Sequence, residues 1–211
     1  MVSAILVAAA LLAEVVTAGG ARAQRRLESS APLPPLRIAV GVAVEGREAV
    51  VDDQFVQAQI ATANRVFSPH GVSFVLAERR AIGESFAHLH SRADRDSLGS
   101  ILRPEVINAF FVATLRDVGD HSLFRMGVHW RPRRGRPVFG HLAHCVIVTR
   151  SARPTSLAHE LGHFFGNGHT TDPINVMSYS MQPGERELDP AQAVRARSFA
   201  RRFLRTGELV P

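Results

Sequence analysis

The run from His159 to His169 reads HELGHFFGNGH, with two histidines four residues apart and a third six residues further on. Four residues is about one helical turn, so on a helix His159 and His163 project from the same face. Two imidazole nitrogens at that separation can grip one Zn2+ at about 2.0–2.1 Å each. Gly166 stands where such a helix must end and turn back, a left-handed step most easily taken without a β-carbon. His169 then returns as a third ligand. Three protein ligands leave one position for water, the arrangement of a catalytic rather than a structural zinc. Glu160 cannot share the metal position of His159, but it can reach that water. It would take a proton from a water whose pKa the metal lowers to about 7, and deliver it to a leaving amine. The chemistry indicated is metal-assisted hydrolysis with Glu160 as general base and Zn2+ as cofactor.

All five fixed positions match H-E-x-x-H-x-x-G-x-x-H, and in them the chain resembles the metzincin zinc proteases. Asn175-Val176-Met177-Ser178-Tyr179 resembles the methionine turn of that family. The resemblance implies that Met177 forms an apolar floor under the three imidazoles without coordinating the metal. Met181 competes for that role but lacks the flanking pattern. Tyr179, the one tyrosine of the chain, stands two residues after Met177. In the astacin and serralysin families a tyrosine there can approach the zinc, so Tyr179 is expected to assist the reaction. The implied function is that of a secreted zinc endopeptidase acting on peptide or protein substrates. The alternative is an exported, non-catalytic binding protein on the same scaffold. The passages ANRVFSPHGVSFVL (63–76), INAFFVATL (107–115) and NVMSYS (175–180) look most like pappalysin-type bacterial members. The chain departs from those in lacking their disulfide cysteines, having Cys145 alone. Thr170 after the third histidine departs from both the matrix metalloproteases and the astacins.

These residues need elements to hold them. Leu36 to Val44 is apolar and β-branched, which predicts a strand. Asp52 and Asp53 can cap a helix whose apolar face is Val56, Ile60, Ala63 and Phe67, stopped by Pro69-His70-Gly71. Val72 to Leu76 predicts a second strand, and residues 83–105 are polar and irregular with room for a short helix. Val106 to Leu115 and Cys145 to Thr149 read as buried strands, with Met126 to Trp130 a short one near an edge. Thr155 or Ser156 would cap the helix carrying His159, and Leu157, Leu161, Phe164 and Phe165 would bury it. Pro190 to Leu204 predicts a last helix with Val194, Phe199 and Phe203 inward. That order is α+β (mixed α/β) around one sheet. With the resemblance it becomes one catalytic domain over residues 36–211, with a twisted, mostly parallel sheet of four to five strands. A long first helix, an active-site helix and a C-terminal helix complete the expectation.

The remaining features bound the function. The 211 residues carry 45% hydrophobic and 21% charged side chains, a globular balance that excludes wholesale disorder. One cysteine excludes an intrachain disulfide framework and any multi-cysteine metal site. Cys145 reads as a small core residue. The net charge is +6 with arginine as the only strong base. Neither aromatic interleaving nor a binding motif accompanies it, so no nucleic-acid partner is expected. Arg131 to Arg136 could favour acidic substrates, with a solvated loop as the default. His141 and His144 read as a solvated turn, with a second metal site as the alternative. Asp172 could hold its loop or a ligand histidine. Residues 1–23 read as a signal peptide with Ala21-x-Ala23 before the cut, and 24–35 as a proline-rich linker or short pro-segment. The expected location is secreted or periplasmic, with no stable membrane span once the leader is removed.

Overall fold

The computed structural model describes residues 31–133, 144–180, 184 and 186–211. The signal peptide and most of the linker, with Met181 and His141, lie outside the described residues. Among the described residues eight strands and four α-helices follow in chain order. They are β1 (Leu36–Glu45), β2 (Glu48–Ala49), α1 (Asp53–Phe67), β3 (Phe74–Ile82), β4 (His88–Leu89), α2 (Arg92–Ser97), β5 (Ile107–Val112), β6 (Thr114–Leu115), β7 (Gly127–Trp130), β8 (Cys145–Thr149), α3 (Ser156–Phe164) and α4 (Pro190–Thr206).

The main sheet runs β3-β1-β5-β8-β7. Its first four strands are parallel, and β7 is antiparallel to β8. The expected mixed α/β architecture and mostly parallel sheet are therefore present, with the short β2 making a sixth strand. Every residue of β5 and β8 is buried, because helices and loops cover both faces, as parallel sheets require. One apolar layer joins the sheet to α1, α3 and α4 through Val40, Phe67, Phe111, Leu157, Leu161 and Phe203. A second layer on the other face holds Leu89, Leu98, Phe110, Leu115, Cys145 and Ile147. Cys145 is thus a core residue, and burial pushes its thiol pKa well up. Among the described residues no helix is long and apolar enough to cross a membrane.

α1 forms as expected. The Asp52 carboxylate accepts from Phe55 N at 2.7 Å, and Val56, Ile60, Ala63 and Phe67 are all buried. Two expectations are corrected. The second strand continues well past Leu76 to Ile82 through Glu78, Arg79 and Arg80. β3 is an edge strand, where charged side chains meet water at no cost. In α4 the inward residues are Ala193, Ala196, Ala200 and Phe203, while Val194 is 67% exposed. Those four lie at helical spacing, and Val194 is one residue, about 100° of rotation, off that face.

Candidate metal centre

α3 carries the site, and its amino terminus is held in a way the sequence does not announce. Thr155 stands at the N-cap, but its side chain makes no capping hydrogen bond, correcting the expectation that Thr155 or Ser156 caps it. Gln59 of α1 does this work. It is buried, accepts from Leu157 N at 3.0 Å and donates to the Arg153 carbonyl at 2.7 Å. A buried amide left unpaired costs about 1–3 kcal/mol, so each of these bonds matters to where α3 begins.

The other end is a glycine exit of the kind the sequence implied. Gly166 has φ +81°. Its N–H bonds the His163 carbonyl, and Asn167 N–H bonds that of Gly162, the paired pattern that closes a helix through a left-handed residue. Asn167 is buried and ties the returning chain to α4. It donates to the Gln192 carbonyl and accepts from Arg195, each at 3.3 Å.

This geometry brings His159, His163 and His169 together. Their Nε2 atoms are 3.1 Å (His159–His163), 2.9 Å (His163–His169) and 3.3 Å (His159–His169) apart. Nitrogens about 2.0–2.1 Å from one tetrahedral metal would be separated by roughly 3.3–3.4 Å. The rings are also oriented for it. His159 Nδ1–H donates to the Val176 carbonyl and His163 Nδ1–H to the Asn167 carbonyl, both at 2.8 Å. A carbonyl only accepts, so each Nδ1 carries the proton and each Nε2 presents a lone pair. Two such lone pairs 3.1 Å apart repel unless a cation lies between them, and the donor set fits zinc. Burial lowers the pKa of all three imidazoles, that of His159 to about 4. They therefore stay neutral, as metal ligands must. Among the described residues this is the one group of three or more metal-ligating side chains.

Glu160 is 6% exposed, and burial pushes its pKa up to about 8 against an opposing hydrogen bond from the His129 backbone N–H. Its carboxylate lies against Gly127 of β7, where an added β-carbon would sit 2.9 Å from Cγ and Oε1. The edge strand thus shapes the slot for Glu160. A carboxyl that holds its proton more firmly than in water suits proton transfer near neutral pH.

Met177 is fully buried, with its sulfur packed on Gly162 of α3. Its turn is braced from both sides. Asn175 accepts from Met177 N at 2.8 Å and donates to Gln192 of α4, also at 2.8 Å. Tyr179 is 64% exposed, with its ring centroid 4.3 Å from that of His169 and 5.7 Å from that of His159. Asp172 holds its own loop. It accepts from Ile174 N, and its N–H donates to Thr170 Oγ1.

His144 does not lie in a solvated turn. It bonds His129 of β7 at 2.8 Å and stacks on Phe164 of α3 with centroids 4.0 Å apart. Burial lowers the pKa of His129 to about 3 and of His144 to about 4. The neutral pair clamps β7 to α3. The pairing of His129 with His144, the buried amide set Gln59, Asn167, Asn175 and Gln192, and the close approach at Gly162 escaped sequence reasoning.

Gly162→Ala is expected to destabilise the protein by about 1–2 kcal/mol. Alanine gains about 1 kcal/mol in helix propensity, but overpacking costs about 1–3 kcal/mol. The clash prevails because Met177 is itself enclosed. Thermal melts of the zinc-loaded variant check this, and an unchanged Tm contradicts it.

No family model matches the sequence, and no curated protein sequence matches it. Solved structures do match in fold. Metalloproteinase-II from Bacteroides fragilis superposes with a TM-score of 0.56 at 16% identity, covering 80% of this chain and 54% of that one. The chain thus spans about half the length of that relative. Archaemetzincin from Methanopyrus kandleri gives 0.53 at 18% identity, over 79% of this chain and 96% of that one. Mature mirolysin from Tannerella forsythia, in complex with a cleaved peptide, gives 0.53 at 12% identity, over 85% and 100%. These neighbours are metzincin-type zinc metalloproteases, and at such identities the likeness establishes the shared fold.

Proposed function

We propose that this chain is an exported zinc-dependent endopeptidase of the metzincin type, hydrolysing peptide bonds in protein substrates. The observation that carries this reading is the convergence of three imidazole Nε2 atoms within 3.3 Å beside the buried carboxyl of Glu160. His159, His163 and His169 would hold the zinc. When bound, the metal supplies Lewis acidity, acidifying water and polarising a carbonyl. Glu160 accepts the proton of the attacking water and later delivers it to the departing amine. The His129 N–H and the space at Gly127 keep that carboxyl in place. Tyr179 donates a hydrogen bond to the substrate oxygen that gains charge. All four residues of the edge strand β7 line the cleft. A substrate laid along β7 in extended form would gain main-chain hydrogen bonds. The likeness of 63–76, 107–115 and 175–180 to pappalysin-type members supports placing it nearest to those.

The test is hydrolysis of casein by the zinc-loaded protein. The expected result is cleavage that stops with a chelator and returns with added zinc. Stoichiometric zinc without cleavage of any protein or peptide would favour a binding role on this scaffold. Export is tested by amino-terminal sequencing of material outside the cytoplasm, expected to begin at Gln24. An intact Met1 on cytoplasmic protein would contradict it.

A further inference from the structure

The cleft around the histidines measures about 1640 Å3, and its walls are unusually basic. Among the described residues Arg65, Arg95, Arg125, Arg131, Arg153 and Arg186 line it, against two carboxylates, Glu160 and Asp117. Asp117 is already engaged. It accepts from Arg125 and from the N–H groups of Gly119 and Asp120. Arg95 is also committed, with its guanidinium on the Trp130 ring at 4.9 Å and bonded to the Arg116 carbonyl.

The other four arrive from four separate segments and none is placed there by a common element. Arg65 leaves α1 and bonds Thr62 Oγ1 at 2.7 Å. Arg131 follows β7 directly. Arg153 precedes α3, and Arg186 follows the methionine turn. Arg153 and Arg186 both donate to the carbonyl of Ser180, at 3.4 Å and 3.2 Å, and Arg186 donates as well to the carbonyl of Pro173. Two guanidiniums are therefore held close together one residue beyond Tyr179. Arg65 and Arg131 are exposed to whatever enters the cleft. A concave wall lined by one sign of charge focuses the field and concentrates ligands of the opposite sign. Planar guanidinium forks also match carboxylates in particular.

We infer that the cleft selects peptides carrying aspartate or glutamate side chains close to the scissile bond, an inference that rests on the endopeptidase reading. The specificity-determining residues are the exposed Arg65 and Arg131, while Arg153 and Arg186, both held on backbone carbonyls, add to the positive field. A carboxylate on the substrate docks against this wall, and a lysine or arginine at the same place is repelled.

The experiment uses three fluorogenic peptides that differ only in whether Glu, Gln or Lys flanks the scissile bond, with the zinc-loaded chain. The Glu peptide is expected to exceed the Lys peptide in kcat/KM by at least about tenfold at low salt. The ratio should shrink as salt rises through the physiological range. The Arg65→Glu/Arg131→Glu double variant should lower or invert that ratio, a readout insensitive to a general loss of folded protein. Fluorescence anisotropy of the same peptides on zinc-loaded Glu160→Ala protein gives the ranking without turnover. Equal or Lys-favouring values in both assays would overturn the inference. So would a single-stranded oligonucleotide that binds the cleft more tightly than the Glu peptide. If no peptide is cleaved while acidic peptides still bind preferentially, the endopeptidase reading fails and the acidic preference of the cleft stands.

Discussion

Glu160→Ala is expected to keep its zinc and its fold while losing hydrolysis by about 10²–10⁴-fold, the usual contribution of a positioned general base. The metal should stay because Glu160 is not among the converging nitrogens. Their ring orientations are set by the Val176 and Asn167 carbonyls, which the substitution does not touch. The fold should hold because burying the Glu160 carboxyl is itself unfavourable, as its raised pKa shows, and this cost disappears along with the hydrogen bond from the His129 N–H. The loss should appear equally in kcat and kcat/KM, since proton transfer is made only on the way to the transition state. Steady-state kinetics alongside zinc analysis of the same preparation provide the check. Turnover within threefold of the unsubstituted protein would end the assignment of Glu160 as the base.

Tyr179→Phe is expected to lower kcat by about 10²–10³-fold with KM little changed and zinc retained, as for loss of one oxyanion donor, about 2.7–4 kcal/mol. Two facts make the hydroxyl available. The ring lies against the imidazoles of His169 and His159, yet the residue is 64% exposed and open to a substrate in the cleft. Partial burial raises the pKa of the phenol, with Arg125 opposing, so it remains a protonated donor. Phenylalanine keeps the ring contact and removes only the donor. A change in kcat below about threefold, under ~1 kcal/mol, would make Tyr179 a packing residue at the rim.

What the sequence shows and what it hides divides along a physical line. His159, Glu160, His163 and Gly166 are legible because helix periodicity and a left-handed exit are local rules, operating within one or two turns. The apolar face of α1 is legible for the same reason. Gln59 is not, because its partner Leu157 is 98 residues away, and a buried glutamine reads in sequence like a surface one. Gly162 occupies an unconstrained position of the motif, and only the packed sulfur of Met177 reveals why a β-carbon is excluded. His144 reads in sequence as part of a solvated turn because its burial by Phe164 and Phe203 is a tertiary event. The charged residues of β3 hid a strand because its place at the sheet edge was not visible. Val194 failed by one step of helical phase, where alanines rather than large side chains make the inward face.

The central claim is that His159, His163 and His169 hold one zinc, and elemental analysis of the purified protein tests it most directly. The unsubstituted chain is predicted to carry one zinc per molecule after dialysis against metal-free buffer. The His159→Ala/His163→Ala double variant is predicted to carry none, and to melt at a lower temperature because metal binding is linked to folding. Stoichiometric zinc in the double variant, or none in the unsubstituted chain after loading with zinc, would contradict the account.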